Sequence, residues 1–234
     1  LLLILILIFI YSKYCSKEAF ENNNWFNDNI DLYFINMDIS KDRRENMEKQ
    51  LNKHNIKFNR FPAYNGSEIK TNFENDLINN YNVFNKDSGI YNTKKGSFGN
   101  FLSQTSCWYN FYKNSSKKYI MVLEDDIELL PNFNTNKVQE IINSLNSTNW
   151  DMLKLFYFGK KNGTDKNKMV YKANNNGHNV DNTGMQIYII PKKSIPKLLD
   201  FMLPIKKTTF DMKNKQAMGE LDIYISNEKF VKTF

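Results

Sequence analysis

Three consecutive acids, Glu124-Asp125-Asp126, stand directly behind an apolar run, Tyr119-Ile120-Met121-Val122-Leu123. Carboxylates packed this closely repel one another, and a cation or a proton must offset the cost. A hard divalent ion that takes oxygen ligands meets that need, and it can hold a diphosphate in turn. Asp126 is the first-choice ligand, with Glu124 or Asp125 beside it. Successive side chains on a strand point to opposite faces, so Glu124 and Asp126 share one side and Asp125 takes the other, unless the chain has already turned. The competing reading is a strand that runs into a solvated acidic turn, a standing risk with short motifs.

Other candidate chemistry is sparse. Arg43-Arg44 can pair with phosphate or with surface acids, and most exposed pairs contribute little. Lys94-Lys95-Gly96-Ser97-Phe98-Gly99 suits a tight entry into a helix, whose N-terminus attracts anions. An ordinary glycine-punctuated helix start fits that segment equally well. His54 and His178 are the only histidines, too few for a zinc site. Cys15 and Cys107 make no disulfide framework, and Cys107 reads as a buried thiol on a helix. No G-x-G-x-x-G follows the first strand, so a dinucleotide fingerprint is absent.

The elements that must position these groups follow from hydrophobic period. Tyr119 to Leu123 is short, apolar and partly β-branched, a strand buried on both faces. In open α/β sheets, ligands bind beyond the carboxyl ends of such strands. Asp31 to Met37 is a first strand. Ser40 is the expected N-cap of an amphipathic helix through Met47, Leu51 and Ile56. Lys57 to Ala63 is a second strand, closed by Tyr64-Asn65-Gly66. A helix through Phe101, Leu102, Thr105, Trp108, Tyr109 and Tyr112 precedes the acidic strand. Pro131 and Asn132 introduce another through Val138, Ile141, Ile142 and Leu145. Strands at Trp150–Tyr157 and Gly184–Ile190 and a helix at Lys192–Met202 come next. Leu221–Ile225 and Lys229–Val231 read as closing strands. This alternation predicts an α/β fold with a mostly parallel central sheet flanked by helices.

Composition sets the frame. The chain has 234 residues, 41% hydrophobic and 15% aromatic, enough for a substantial core. A charge of +7 with pI about 9.1 suits an anionic ligand or surface. No nucleic-acid recognition motif is present. The load of Asn, Lys and Ile reflects AT-rich codons, pointing to a viral or microbial source. Leu1 to Ile10 is unbroken aliphatic sequence, short of the ~20 residues that span a bilayer. Residues 1–12 are read as a signal anchor or signal-peptide remnant, 13–30 as a polar stem, and 31–234 as one domain. A membrane-anchored or luminal location follows from that reading.

The order of the pieces resembles glycosyltransferase family 25, the lipopolysaccharide (LPS) biosynthesis and collagen-galactosyltransferase-like enzymes. The resemblance runs from Leu32 to Val231 and rests on Tyr33-Phe34-Ile35-Asn36-Met37-Asp38, Arg43-Arg44 and Phe61-Pro62-Ala63-Tyr64-Asn65-Gly66. It continues through the glycine segment Gly96 to Gln104, Cys107-Trp108, Val122-Leu123-Glu124-Asp125-Asp126, Trp150-Asp151 and Tyr188-Ile189-Ile190. The chain departs from the family where Glu, Cys and His of the glycine segment become Ser97, Asn100 and Gln104. Gln104 can hydrogen-bond but cannot titrate.

The resemblance implies a Rossmann-like, metal-dependent glycosyltransferase of the GT-A type. It implies inverting transfer of a hexose, galactose or glucose, from a UDP-sugar to a glycan or hydroxylated, collagen-like protein. Glu124 and Asp126 would bind Mn²⁺ or Mg²⁺. Asn36, Arg43, Ala63, Asn65, Gly99, Ser103 and Asp125 would face the nucleotide sugar. Asp211 would be the general base, with Glu220 or Asp222 as substitutes. Two competitors remain: a glycan- or partner-binding protein with a weakened site, and a nucleotidyltransferase, against which the missing glycine-rich phosphate loop speaks.

Overall fold

A computed structural model describes residues 25–69, 77, 95–155 and 185–203. The strands are β1 (Ile30–Asn36), β2 (Phe58–Pro62), β3 (Tyr119–Glu124), β4 (Leu153–Lys154) and β5 (Ile187–Pro191). The helices are α1 (Lys41–Lys53), α2 (Lys95–Asn114), α3 (Thr135–Ser144) and α4 (Ile195–Met202), the last entered through a 3-10 turn at Lys192–Ser194. The sheet order is β2-β1-β3-β5-β4.

β3 is central, and Ile120, Met121, Val122 and Leu123 are wholly buried. The two-residue period sends them to opposite sides. Ile120 and Val122 join Tyr188, Ile190, Leu102 of α2 and Leu199 of α4 in one core. Met121 and Leu123 join Leu32, Phe34, Met47 of α1 and Ile142 of α3 in the other. The sheet is thus covered by helices on both faces. Phe26, within a helical turn at residues 25–29, is buried in the second core, so packed chain reaches back before Asp31.

β1 pairs in parallel with both β2 and β3, and the three strands end together. Asn36 lies beside Pro62, and Ile35 beside Glu124. The sheet as a whole is mixed rather than mostly parallel, because β5 runs antiparallel to β3 and to β4. The expectation failed for a physical reason. Tyr188, Ile189 and Ile190 are buried on both faces, and a run apolar all through carries no signal of direction. Of the strand expected at Trp150–Tyr157, Leu153–Lys154 forms β4, with Met152 in a bridge beside it and the Leu155 N–H donating to the Ile187 carbonyl at 2.9 Å. The closing strands expected after Leu221 lie outside the described residues.

Ser40 is the N-cap residue of α1 as expected, but the capping chemistry at two helix starts differs in detail. Ser40 precedes α1, but its side chain makes no capping bond. Its carbonyl oxygen instead accepts from the Arg44 N–H and the Asn36 amide. The start of α3 is capped not at Pro131-Asn132 but by Asn134, whose side chain accepts from the Asn136 N–H at 2.8 Å. α1 closes without glycine. Asn55 takes a left-handed φ of 53°, the Ile56 N–H bonds the Leu51 carbonyl, and the Asn55 N–H bonds that of Asn52. This is a Schellman closure, with Ile56 and Leu51 packed in the same core.

Asn is among the few side chains that tolerate this backbone region. Asn55→Val should therefore destabilise the fold by roughly 1–2 kcal/mol and Asn55→Gly should not, read by urea unfolding.

Burial raises the Cys107 thiol well above its usual 9.0 and the Tyr188 hydroxyl well above its usual 10.0. Tyr33 is pushed up to about 12 by burial, with Cys107 and Asp31 adding to it. Each group holds its proton longer when folded. Their contribution is complete below the unfolded values and is lost as pH rises through 9 toward 12 and beyond. Stability to urea should accordingly fall above pH 9, and Cys107→Ala should delay the onset of that fall.

Candidate active site

The parallel carboxyl ends of β1, β2 and β3, with the start of α2, enclose a cavity of about 270 Å³. Glu124, Asp125 and Asp126 all line it, with Arg43, Asn65, Gly66, Gly96 and Ser103. Strand alternation would have turned Asp125 away. The strand ends at Glu124, however, and Asp125 and Asp126 already belong to a turn.

Each acid has its own compensation. Asp125 is the most enclosed of the pair in the turn, 13% exposed against 55% for Asp126. It accepts from the Asn36 amide at 2.6 Å and from Arg43 at 3.2 Å, one bond to each oxygen. Arg43 also reaches Asp126 at 3.8 Å. Glu124 Oε1 faces the amide nitrogens of Asn100 at 3.4 Å and Gln104 at 3.5 Å.

Asn36 is buried, and its orientation is forced. Arg60 can only donate, so the oxygen of the Asn36 amide must face it, at 3.0 Å. The nitrogen is then left for Asp125 and for the Ser40 carbonyl at 3.0 Å. Arg60 also donates to the Asn36 main-chain oxygen at 3.1 Å and to Asp38. Sequence reasoning missed Arg60. Its signal was a lone cation within an otherwise largely apolar strand, Phe58–Pro62.

The loop after β2 rests on the first turns of α2. Ser103 Oγ donates to the Gly99 carbonyl at 2.6 Å and accepts from the Tyr64 N–H at 2.8 Å. A Cβ on Gly99 would stand 2.6 Å from the Tyr64 oxygen, and one on Gly66 would overlap the Lys95 carbonyl. Glycine at these positions permits close backbone approach. Gly96 and Gly99 lie inside α2 rather than ahead of it.

The structure brings most of the sequence-derived site residues together. Arg43, Ala63, Asn65, Ser103, Glu124, Asp125 and Asp126 line the cavity. Asn36 and Gly99 sit behind it, one orienting Asp125 and the other admitting the loop. Asn65 directs its side chain to its own loop, donating to Glu68 at 2.8 Å and accepting from the Ser67 N–H at 3.0 Å. Asp211, Glu220, Asp222 and Lys94 lie outside the described residues.

The donor set suits a hard cation only with help from a ligand. Among the described residues, no group of three or more His, Cys, Asp or Glu could hold a metal ion. Glu124 and Asp126 provide oxygen donors at the cavity, and one or two carboxylates plus phosphate oxygens is the usual surrounding of Mg²⁺.

Fold and site thus define an α/β protein with an acid-lined cavity at the carboxyl edge of its parallel strands. Residues 29–213 match the family described as Glycosyltransferase family 25 (LPS biosynthesis protein), and the chain belongs to that family. It is 26% identical over 184 residues to a Drosophila melanogaster protein named Glycosyltransferase 25 family member, covering 74% of this chain and 29% of that protein. It is 33% identical over 119 residues to the Putative glycosyltransferase R655 of Acanthamoeba polyphaga mimivirus, covering 49% of this chain and 35% of that protein. The chain therefore spans only about a third of the length of these relatives. The crystal structure of A197 from STIV aligns over 88% of this chain and 81% of its own, at 10% identity and a TM-score of 0.40, too slight a likeness to carry an argument.

Asn36→Ala removes a donor from Asp125 and an acceptor from Arg60. It should lower stability by about 1–3 kcal/mol in urea unfolding, the cost of stranding such partners.

Proposed function

We propose that the chain is a metal-assisted glycosyltransferase domain of the GT-A type, moving a hexose from a UDP-sugar to a hydroxyl acceptor with inversion. One observation supports this above others: three carboxylates at the end of a buried strand line one cavity with Arg43 and the start of α2. Family membership agrees with it.

The roles follow from the chemistry of each group. Glu124 and Asp126 would hold Mn²⁺ or Mg²⁺, which supplies positive charge to offset that developing on the leaving diphosphate. Arg43, exposed and already facing Asp125 and Asp126, can turn to a phosphate oxygen. Asp125, held by Asn36, keeps the turn in place. Asp211 is our candidate for removing the acceptor proton. Glycans and hydroxylated, collagen-like proteins are the acceptor classes we favour, with galactose or glucose as the sugar. Attachment to a membrane through Leu1–Ile10, within a secretory lumen, completes the proposal; among the described residues no helix is long and apolar enough to cross a membrane. The mimivirus relative fits a viral source.

Hydrolysis of UDP-galactose and UDP-glucose with Mn²⁺ tests the reading. Asp126→Ala should lower the rate on the order of 10²-fold, the scale for losing one charge-stabilising group. Equal rates in the two proteins would contradict turnover, and retained UDP binding would then favour a binding protein.

A further inference from the structure

Behind Glu124 lies a buried polar chain that the proposed reaction does not use. The Trp108 indole N–H donates to the Tyr188 hydroxyl at 2.7 Å, and that hydroxyl donates to Gln104 Oε1. The rings of Trp108 and Tyr188 meet edge to face, 6.0 Å between centroids at 84°. Trp108 and Tyr188 are wholly buried, and Gln104 is 1% exposed. The residues come from α2 and β5, so the chain also ties that helix to the sheet.

The direction of the chain is fixed by its first member. An indole N–H can only donate, so the Tyr188 oxygen accepts there and its single proton must go onward. Burial pushes the Tyr188 hydroxyl well above its usual range, so that proton stays in place. Gln104 must then present its oxygen to Tyr188 and its nitrogen to Glu124, 3.5 Å away. A flipped amide would set two donors against each other at Tyr188 and two acceptors at Glu124. The contact with Glu124 is long, as apo-state contacts often are before a ligand tightens them.

We infer that Trp108, Tyr188 and Gln104 form a one-way hydrogen-bond chain that aims an amide N–H at Glu124 and sets how that carboxylate meets a ligand. Gln104 is a positioning residue. The chain explains how glutamine can stand where the family resemblance has histidine. An imidazole could likewise accept from Tyr188 with one nitrogen and donate to Glu124 with the other. The ligand half of this inference rests on the proposed role of Glu124, whereas the orientation of the amide does not.

Two readouts on the intact chain separate those halves. The first is the Gln104 side-chain amide by NMR, without ligand. A locked, slowly exchanging pair of protons is expected in wild type and should be lost in Tyr188→Phe. Rapid exchange in wild type, or persistence in Tyr188→Phe, overturns the chain. The second is affinity for UDP with Mn²⁺. Gln104→Met should weaken it on the order of tenfold, as for groups that orient a metal ligand, and Gln104→His should restore it. Adding Tyr188→Phe to Gln104→Met should weaken it no further, since both break one chain. Wild-type affinity in Gln104→Met, or additive losses, overturns the positioning role. If wild type takes no UDP with Mn²⁺, the glycosyltransferase reading fails and the ligand half falls with it, while the amide signal still decides the chain.

Discussion

Like charges crowded at the end of a buried strand are the constraint on which this architecture depends. Glu124, Asp125 and Asp126 follow four wholly buried residues, so the chain has little freedom to spread them. The repulsion is met locally and differently for each. Asp125 takes a buried amide and a guanidinium, Glu124 two amide nitrogens, and Asp126 a distant guanidinium and exposure to solvent. The least compensated acid is the most exposed, and it stands beside the cavity. That gradient leaves the corner open on the cavity side rather than sealed as an ion cluster, which is the feature the proposed cation would use.

The surrounding fold exists to keep those partners in register. Parallel pairing sets β1 between β2 and β3 with their ends level, which is how Asn36 reaches Asp125 across 89 residues of chain and Arg60 reaches Asn36 across 24. α2 contributes Asn100, Ser103 and Gln104 from one face of its first turns, a spacing that places them along one side of a helix. Close packing of Gly66 and Gly99 lets the loop after β2 lie on that helix. Removing any one of these contacts loosens the cavity wall rather than a remote surface.

Much of this was legible in the sequence, and the failures are instructive. Burial of β3 on both faces and the amphipathic helices followed from period alone, and the acids were found because charge ends an apolar run so abruptly. Strand direction was not legible, because Tyr188-Ile189-Ile190 is apolar on both faces. Ser40 stands at the expected N-cap position but makes no side-chain cap; its carbonyl, bonded by the Asn36 amide, ties the start of α1 to β1 instead. Arg60 and Tyr188 escaped notice as working residues because their partners lie 22 and 80 or more residues away, and no local pattern records such contacts. The resemblance implies a nucleotide-side place for Asn36, and the structure adds its bond to Asp125, which no local pattern records.

The claim that the acid corner holds a ligand through a divalent ion is open to one direct measurement: calorimetric titration of UDP into the chain with and without Mn²⁺. The account predicts binding at least about tenfold tighter with the ion, and loss of that gain in Asp126→Ala. UDP affinity indifferent to Mn²⁺, or a gain that survives Asp126→Ala, would contradict it.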